Sequence, residues 1–167
     1  MPRGQRVQDA GSAGFRYAAA LDAFFRPAAL TGVEVEGHRL LRDGRSRIDH
    51  ARGYVAPFPH ARFVVADYTA FDESADVITM FYPFVTVAPL LAWRLPLEVF
   101  APEAWFARAA RNLAPGGLLV VVSHGDDEAG IAKRLCAAQD LTAVGGFRDD
   151  GPLLPRPRPA VVTLWRR

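Results

Sequence analysis

The sequence predicts an α/β fold: a doubly wound, mostly parallel sheet of seven strands, closed by a C-terminal antiparallel hairpin. Three observations carry this. Strand-like runs alternate with segments of helical period, and that order requires right-handed crossovers between parallel strands. Two runs, "RFVVA" (62–66) and "LLVVV" (118–122), are continuously apolar, as strands covered on both faces should be. The last two strand candidates, Leu141–Val144 and Ala160–Trp165, have no helix between them and must pair antiparallel or leave the sheet. No internal repeat or shift of composition marks a boundary, so residues 1–167 are expected to form one domain.

Taken in order, Arg6–Ala10 is the first strand candidate. A helix follows, with Tyr17, Ala18, Leu21, Phe24 and Phe25 assigned to one apolar face and Pro27 beyond its end. Leu30–Val35 ("LTGVEV") is the second strand, and Ile48–Ala56 forms a helix that Pro57 and Pro59 stop. Arg62–Ala66 and Ala75–Phe81 are the third and fourth strands. A loop rich in proline and aromatic residues leads to a helix with Pro102 and Glu103 in its first turn and a buried stripe of Trp105, Phe106, Ala109 and Leu113. Pro115-Gly116-Gly117 turns the chain into the central strand Leu118–Val122. Asp126, Asp127 and Glu128 open the next helix, where the macrodipole favours acids, and Asp126 is expected to be its N-cap. "PRPRPAVV" (155–162) reads as a stiff extended approach to the last strand.

Composition limits the function classes. Half of the 167 residues are apolar, enough for a full core without disulfides. The single cysteine, Cys136, reads as a small buried hydrophobe in a reducing compartment. A net charge of +2 is too small to imply a polyanion partner, so no nucleic-acid partner is expected. Arginines at 39, 42, 45, 47 and 52 are interrupted by Asp43 and Asp49 and read as a solvated face. Pro2, Arg3, Gln5 and Arg6 precede only a short apolar segment, and the uncharged run Val77–Trp93 is broken by Pro83 and Pro89. No leader or membrane span is expected, and the location inferred is cytoplasmic. Trp93, Leu95, Pro96, Leu97 and Phe100 would form an exposed apolar patch suited to a second subunit in a homodimer.

The site is expected at the carboxyl ends of the strands, at the point where strand order reverses. There the first loop supplies Asp9-Ala10-Gly11-Ser12-Ala13-Gly14, and Glu34 closes the second strand at the distance suited to a ribose-binding acid, with Glu36 as fallback. Gly11 and Gly14 do not make the G-x-G-x-x-G pattern that seats a pyrophosphate, which favours an adenosine-type ligand without phosphates.

These residues resemble the class I S-adenosylmethionine-dependent methyltransferase family. Asp9–Gly14 resembles its first motif, D-x-G-x-G-x-G, with Ala13 at the middle glycine and Phe15 at the last. "GVEVEG" resembles the ribose-acid segment and "VVADY" the segment whose acid, here Asp67, approaches the adenine amino group. "DVITMFYPF" and "LAPGGLLVVV" resemble the fourth and fifth strands. The resemblance implies a Rossmann-like fold, S-adenosyl-L-methionine as cofactor and methyl transfer to a small-molecule acceptor. It assigns the cofactor to Asp9, Ala10, Gly11, Ser12, Gly14, Glu34 and Asp67, with no metal. The methyl at Ala13 is expected to be tolerated where φ is negative. His124, just past the fifth strand, is the candidate base, and Tyr82 a candidate wall of the acceptor pocket. In "FYPF" (81–84), Phe81 stands where amino-group methyltransferases of the N-P-P-Y type carry an amide, which argues against a nucleobase amine as acceptor. The family's frequent N-terminal covering helix has no counterpart before the first strand. Two other readings stay open: a non-catalytic relative serving as a binding or assembly module, and an NAD-dependent oxidoreductase.

Overall fold

The computed structural model describes residues 4–151 and 158–167. Residues 155–157 of the proline–arginine approach lie outside them. Seven strands, β1 (Arg6–Ala10), β2 (Ala29–Glu34), β3 (Ala61–Val65), β4 (Ala75–Phe81), β5 (Leu113–His124), β6 (Thr142–Asp149) and β7 (Ala160–Arg166), form one sheet in the order β3-β2-β1-β4-β5-β7-β6. The first five run parallel, and β7 is antiparallel to both β5 and β6. Strand order reverses between β1 and β4, which places the loop after β1 at the head of the crevice.

The helices are α1 (Ala18–Phe25), α2 (Arg47–Val55), α3 (Val87–Ala92), α4 (Pro102–Asn112) and α5 (Gly125–Ala137). Helix α2 starts where it does because Ser46 caps it: Ser46 Oγ accepts from the Asp49 N–H at 3.3 Å, while the Asp49 carboxylate accepts from the Ser46 N–H at 3.0 Å. That box fixes Arg47 at the first helical position, on the crevice side. Helix α3 and a short 3-10 turn at Leu97–Val99 occupy the segment read as loop.

Several expectations are corrected. The third strand is an edge, so β3 is only half-buried rather than covered on both faces. Phe24 is 70% exposed, because the buried stripe of α1 is Ala18, Leu21 and Phe25; neighbouring residues on a helix point about 100° apart. Val35 lies beyond β2 and is exposed. Pro115-Gly116-Gly117 lies inside β5, where the pairing with β4 shifts register between Ala75 and Val77. Strand β6 extends to Asp149 and is exposed along nearly its whole length. Cys136 is fully buried on α5 in the larger core cluster, and burial pushes its thiol up to about 12.

The second core cluster turns on Phe15, which is fully buried in the loop after β1. Its ring lies on Gly32 of β2 so closely that a Cβ there would sit 2.7–2.8 Å from ring carbons. Phe15→Ala is expected to cost about 3–5 kcal/mol, and Gly32→Ala about 1–3 kcal/mol through overpacking. The double variant should cost less than the sum, because removing the ring makes room for the methyl. Urea denaturation of the four proteins measures this, and strict additivity would show that the two residues do not share one space.

Candidate functional site

A cavity of about 440 Å³ opens at the carboxyl ends of β1, β2, β4 and β5. Asp9, Gly11, Ser12, Ala13, Glu34 and Asp67 line one part of it, and Tyr17, Tyr82, Phe84, His124 and Glu128 another; Trp93 comes from the end of α3, just past its last residue, Val99 from the turn and Trp105 from α4. Ala10 and Gly14 do not line it. Ala10 is buried in the core, and Gly14 backs onto His50 and the Arg47 carbonyl. Five carboxylic acids, Asp9, Glu34, Asp67, Glu98 and Glu128, line this space together with two arginines, Arg16 and Arg47. That balance suits a cationic ligand better than a phosphate.

The loop itself has the backbone of a glycine-rich turn with larger residues in it. Gly11 has φ +69°, Ala13 +50° and Phe15 +56°. Ala13 therefore occupies the left-handed region, so the condition of negative φ under which its methyl would be tolerated without cost is not met. Such non-glycine residues each cost roughly 1–2 kcal/mol. Glu34 holds the turn in place, since its Oε2 accepts the Ala13 N–H at 2.9 Å. Gly11 is needed for another reason as well: a Cβ there would meet the Trp105 indole at 2.5 Å.

Asp9 is almost wholly buried at the end of β1. Its Oδ1 accepts from the Thr79 hydroxyl at 2.8 Å, and its Oδ2 has no partner among the described residues. Burial, with Glu34 nearby adding to it, raises the carboxyl to about 7 against the pull of Thr79. Asp67 is exposed, and its Oδ1 accepts from the Thr69 N–H at 2.8 Å.

Glu34 is buried in an ion pair. Its Oε1 accepts from Arg47 Nη1 at 2.8 Å and from the Glu36 N–H at 2.9 Å. Arg47 is 5% exposed, so it belongs to the site and not to a solvated face; the helix cap turns it inward. Arg42, Arg45 and Arg52 are exposed as expected. Glu36, the fallback acid, pairs with Arg39 at 2.7 Å. No signal within the arginine run separated Arg47 from its neighbours except the S-x-x-D spacing of Ser46 and Asp49, which marks a helix start.

On the other side, the Tyr82 and His124 rings stack at 3.8 Å and 10°. Tyr82 has φ +57°, and its N–H donates to the Val122 carbonyl at 2.7 Å, which continues the β4–β5 pairing past the strand. His124 is exposed, its backbone N–H donates to Glu128 at 3.0 Å, and its ring nitrogens take no hydrogen bond among the described residues. His124, not Asp126, is the N-cap of α5; Asp126 pairs with Arg148 at 2.7 Å. Trp93 and Leu97 of the expected apolar patch are exposed, whereas Leu95 is buried. Among the described residues no group of three or more potential ligands could hold a metal ion, and no helix is long and apolar enough to cross a membrane.

Because Asp9 is protonated in the fold up to about 7 but ionises near its ordinary value once unfolded, the native state holds the extra proton between those limits. Stability should therefore fall as pH rises from about 4 to about 7 and level off above, with a slope of at most about 1.4 kcal/mol per pH unit from this group. Asp9→Asn should remove this component and be the more stable protein at pH 8. Chemical denaturation of both proteins from pH 5 to 8 checks it through their difference. In the same assay Ala13→Gly should be neutral or stabilising by up to about 1 kcal/mol, since it relieves a left-handed alanine.

No family model matches the sequence, and no curated protein matches it. Solved structures match the fold over nearly the whole chain. A TehB-like SAM-dependent methyltransferase from Corynebacterium glutamicum aligns with TM-score 0.63 and 20% identity over 99% of this chain and 81% of that one. N-methyltransferase NodS from Bradyrhizobium japonicum gives 0.69 and 16% over 99% and 87%. The methyltransferase solved with the Haloferax volcanii Trm112 methyltransferase activator gives 0.73 and 13% over 99% and 83%. Seven strands in this order, with a reversed β7 and these neighbours, give the chain the fold of the class I S-adenosylmethionine-dependent methyltransferases.

Proposed function

We propose that the protein is a methyltransferase that binds S-adenosyl-L-methionine at the β1–β2 side of the cavity and methylates a small-molecule acceptor at the β4–β5 side. The observation that carries this reading is the buried Asp9 Oδ2, without a partner among the described residues, at a cavity where acids outnumber arginines. A buried polar atom without a partner is costly and calls for a ligand group. A cationic ammonium fits this atom, and a pyrophosphate does not. The start of α1 also speaks against the NAD reading: its first residue is Ala18, four positions past Gly14, and the helix N-terminus does not follow the loop directly.

In this reading Glu34 receives ribose hydroxyls and Asp67 Oδ2 the adenine amino group. Gly11 and Ser12 bring backbone close to the ligand, and Ala10 and Gly14 act only by shaping the turn. The cofactor supplies a methyl group already activated on a sulfonium, so the chain's task is alignment and exclusion of water. Tyr17, Tyr82 and Phe84 form an aromatic wall for a planar or apolar acceptor. The strained φ of Tyr82 is the kind of outlier that accumulates at functional positions. His124, with its ring nitrogens free of hydrogen-bond partners among the described residues, takes the acceptor's proton where the acceptor carries one, a contribution of about 10²–10⁴ in rate. The reducing compartment consistent with a lone buried thiol is the cytoplasm.

Calorimetric titration with S-adenosylhomocysteine tests the site directly. Micromolar to low-millimolar binding is expected, and its loss in Glu34→Gln, with folding checked by circular dichroism, ties it to the ribose acid. Binding should strengthen as pH rises through about 7 and release a proton below it, because a bound ammonium favours ionised Asp9. Titrations in two buffers of different ionisation enthalpy read that proton. No heat at millimolar ligand would overturn the reading, and binding without methyl transfer to any acceptor would favour the non-catalytic module.

A further inference from the structure

We infer that Arg47 is a positioning residue that competes with the ribose for Glu34 and, on yielding, resets the acceptor wall through Trp93. The inference rests on the cofactor reading above. A carboxylate offers about four acceptor positions. In Glu34 three are used: Arg47 Nη1 and the Glu36 N–H on Oε1, and the Ala13 N–H on Oε2. A vicinal diol that donates one hydroxyl to each oxygen needs two. One position is open, so the diol and Arg47 cannot both be fully served.

Arg47 has a second seat within reach. Its Nη1 lies 3.8 Å from Glu36 Oε2, and Glu36 is more exposed than Glu34 and already holds Arg39. Moving from the first carboxylate to the second keeps the guanidinium paired, which a buried or half-buried arginine requires. The shift is therefore one between two ion pairs, not the breaking of one.

The motion has a mechanical consequence because Arg47 does not stand alone. Its Cζ lies 5.2 Å from the centroid of the Trp93 ring, and Trp93 meets Phe84 edge-on at 5.9 Å. Arg39 Nη2 donates to the Trp93 carbonyl at 2.6 Å, so the backbone there is tied to the same Glu36 cluster. All of Glu34, Arg47, Trp93 and Phe84 line the cavity. Occupancy of the ribose seat is thereby coupled to the Trp93–Phe84 side of the acceptor space, and the cofactor is expected to bind first. A glycine-rich loop and a ribose acid alone would not predict that order.

Trp93 is its own reporter. Wild-type protein is titrated with adenosine and with 2′,3′-dideoxyadenosine, following tryptophan emission and heat together, with Trp93→Phe to isolate the signal of that ring. Adenosine should shift the Trp93 emission, and the dideoxy compound should not, because it has no hydroxyls to claim Glu34. Arg47→Met, which keeps most of the stem and removes the charge, should bind S-adenosylhomocysteine about five- to tenfold more tightly, within the usual range for coupled sites, and show no Trp93 shift. An equal shift with the dideoxy compound, adenosine heat with a silent Trp93, or weaker binding in Arg47→Met each overturn the inference and leave the cofactor reading intact. Absence of heat with both adenosine and S-adenosylhomocysteine overturns both. The nucleoside comparison needs only Trp93→Phe as its reference, so it decides the matter even where Arg47→Met fails to fold.

Discussion

Glu34 is the constraint on which the cavity depends. It closes β2 beside the sheet's reversal point and reaches across to the loop after β1, so that one carboxylate adds a side-chain tie beyond the Gly11 and Ser12 N–H bonds to the Val33 carbonyl. An ion pair this buried contributes little net stability, since the desolvation of both partners offsets their attraction. Its effect is geometric. With Arg47 on one oxygen and the Ala13 N–H on the other, the carboxylate can point only into the crevice, and the loop can take only the turn that presents its amide to it. A neutral side chain of the same size would leave Arg47 as an uncompensated buried charge.

The turn accepts strain in return for that geometry. Where three glycines would pass without cost, this chain keeps one and places Ala13 and Phe15 in left-handed conformations. Phe15 offsets its own strain by filling the core, and it can do so because Gly32 leaves bare backbone for the ring to lie on. The glycine that the loop lacks is thus found on the neighbouring strand. The same exchange does not apply to Ala13, which is too small to recover its cost by burial and is held by the hydrogen bond its N–H donates to Glu34. Tyr82, on the other side of the cavity, is another left-handed residue, and it too is tied down, by the continuation of strand pairing to Val122.

Much of this is legible in the amino-acid sequence itself. Alternating strand and helix signals, and the absence of a helix before the last strand, are enough to require the parallel sheet with its reversed end. The loop Asp9–Gly14, Glu34, Asp67, Tyr82 and His124 come to one end of the sheet because the right-handed crossovers leave no other place for residues at strand ends. What was hidden has specific causes. Arg47 is chemically identical to the exposed arginines around it, and only the cap at Ser46 decides which way it faces. Phe24 and Phe25 are adjacent and equally apolar, so periodicity over eight residues could not separate the buried one from the exposed one. The left-handed φ of Phe15 could not be read from a residue type that rarely adopts it, and the glycine that makes it workable lies seventeen positions away in "LTGVE".

The seat of Cys136 has one further consequence. It is the chain's sole sulfhydryl, enclosed between α5 and the sheet with its proton firmly held, so neither an electrophile nor dissolved oxygen can reach a thiolate while the protein is folded. Alkylation can proceed only through molecules in which α5 has come away from the sheet. The molecule therefore carries a built-in reporter: a slow thiol-directed label reads how much of the protein has its larger apolar cluster open, and one that outpaces reclosing reads how often that cluster opens.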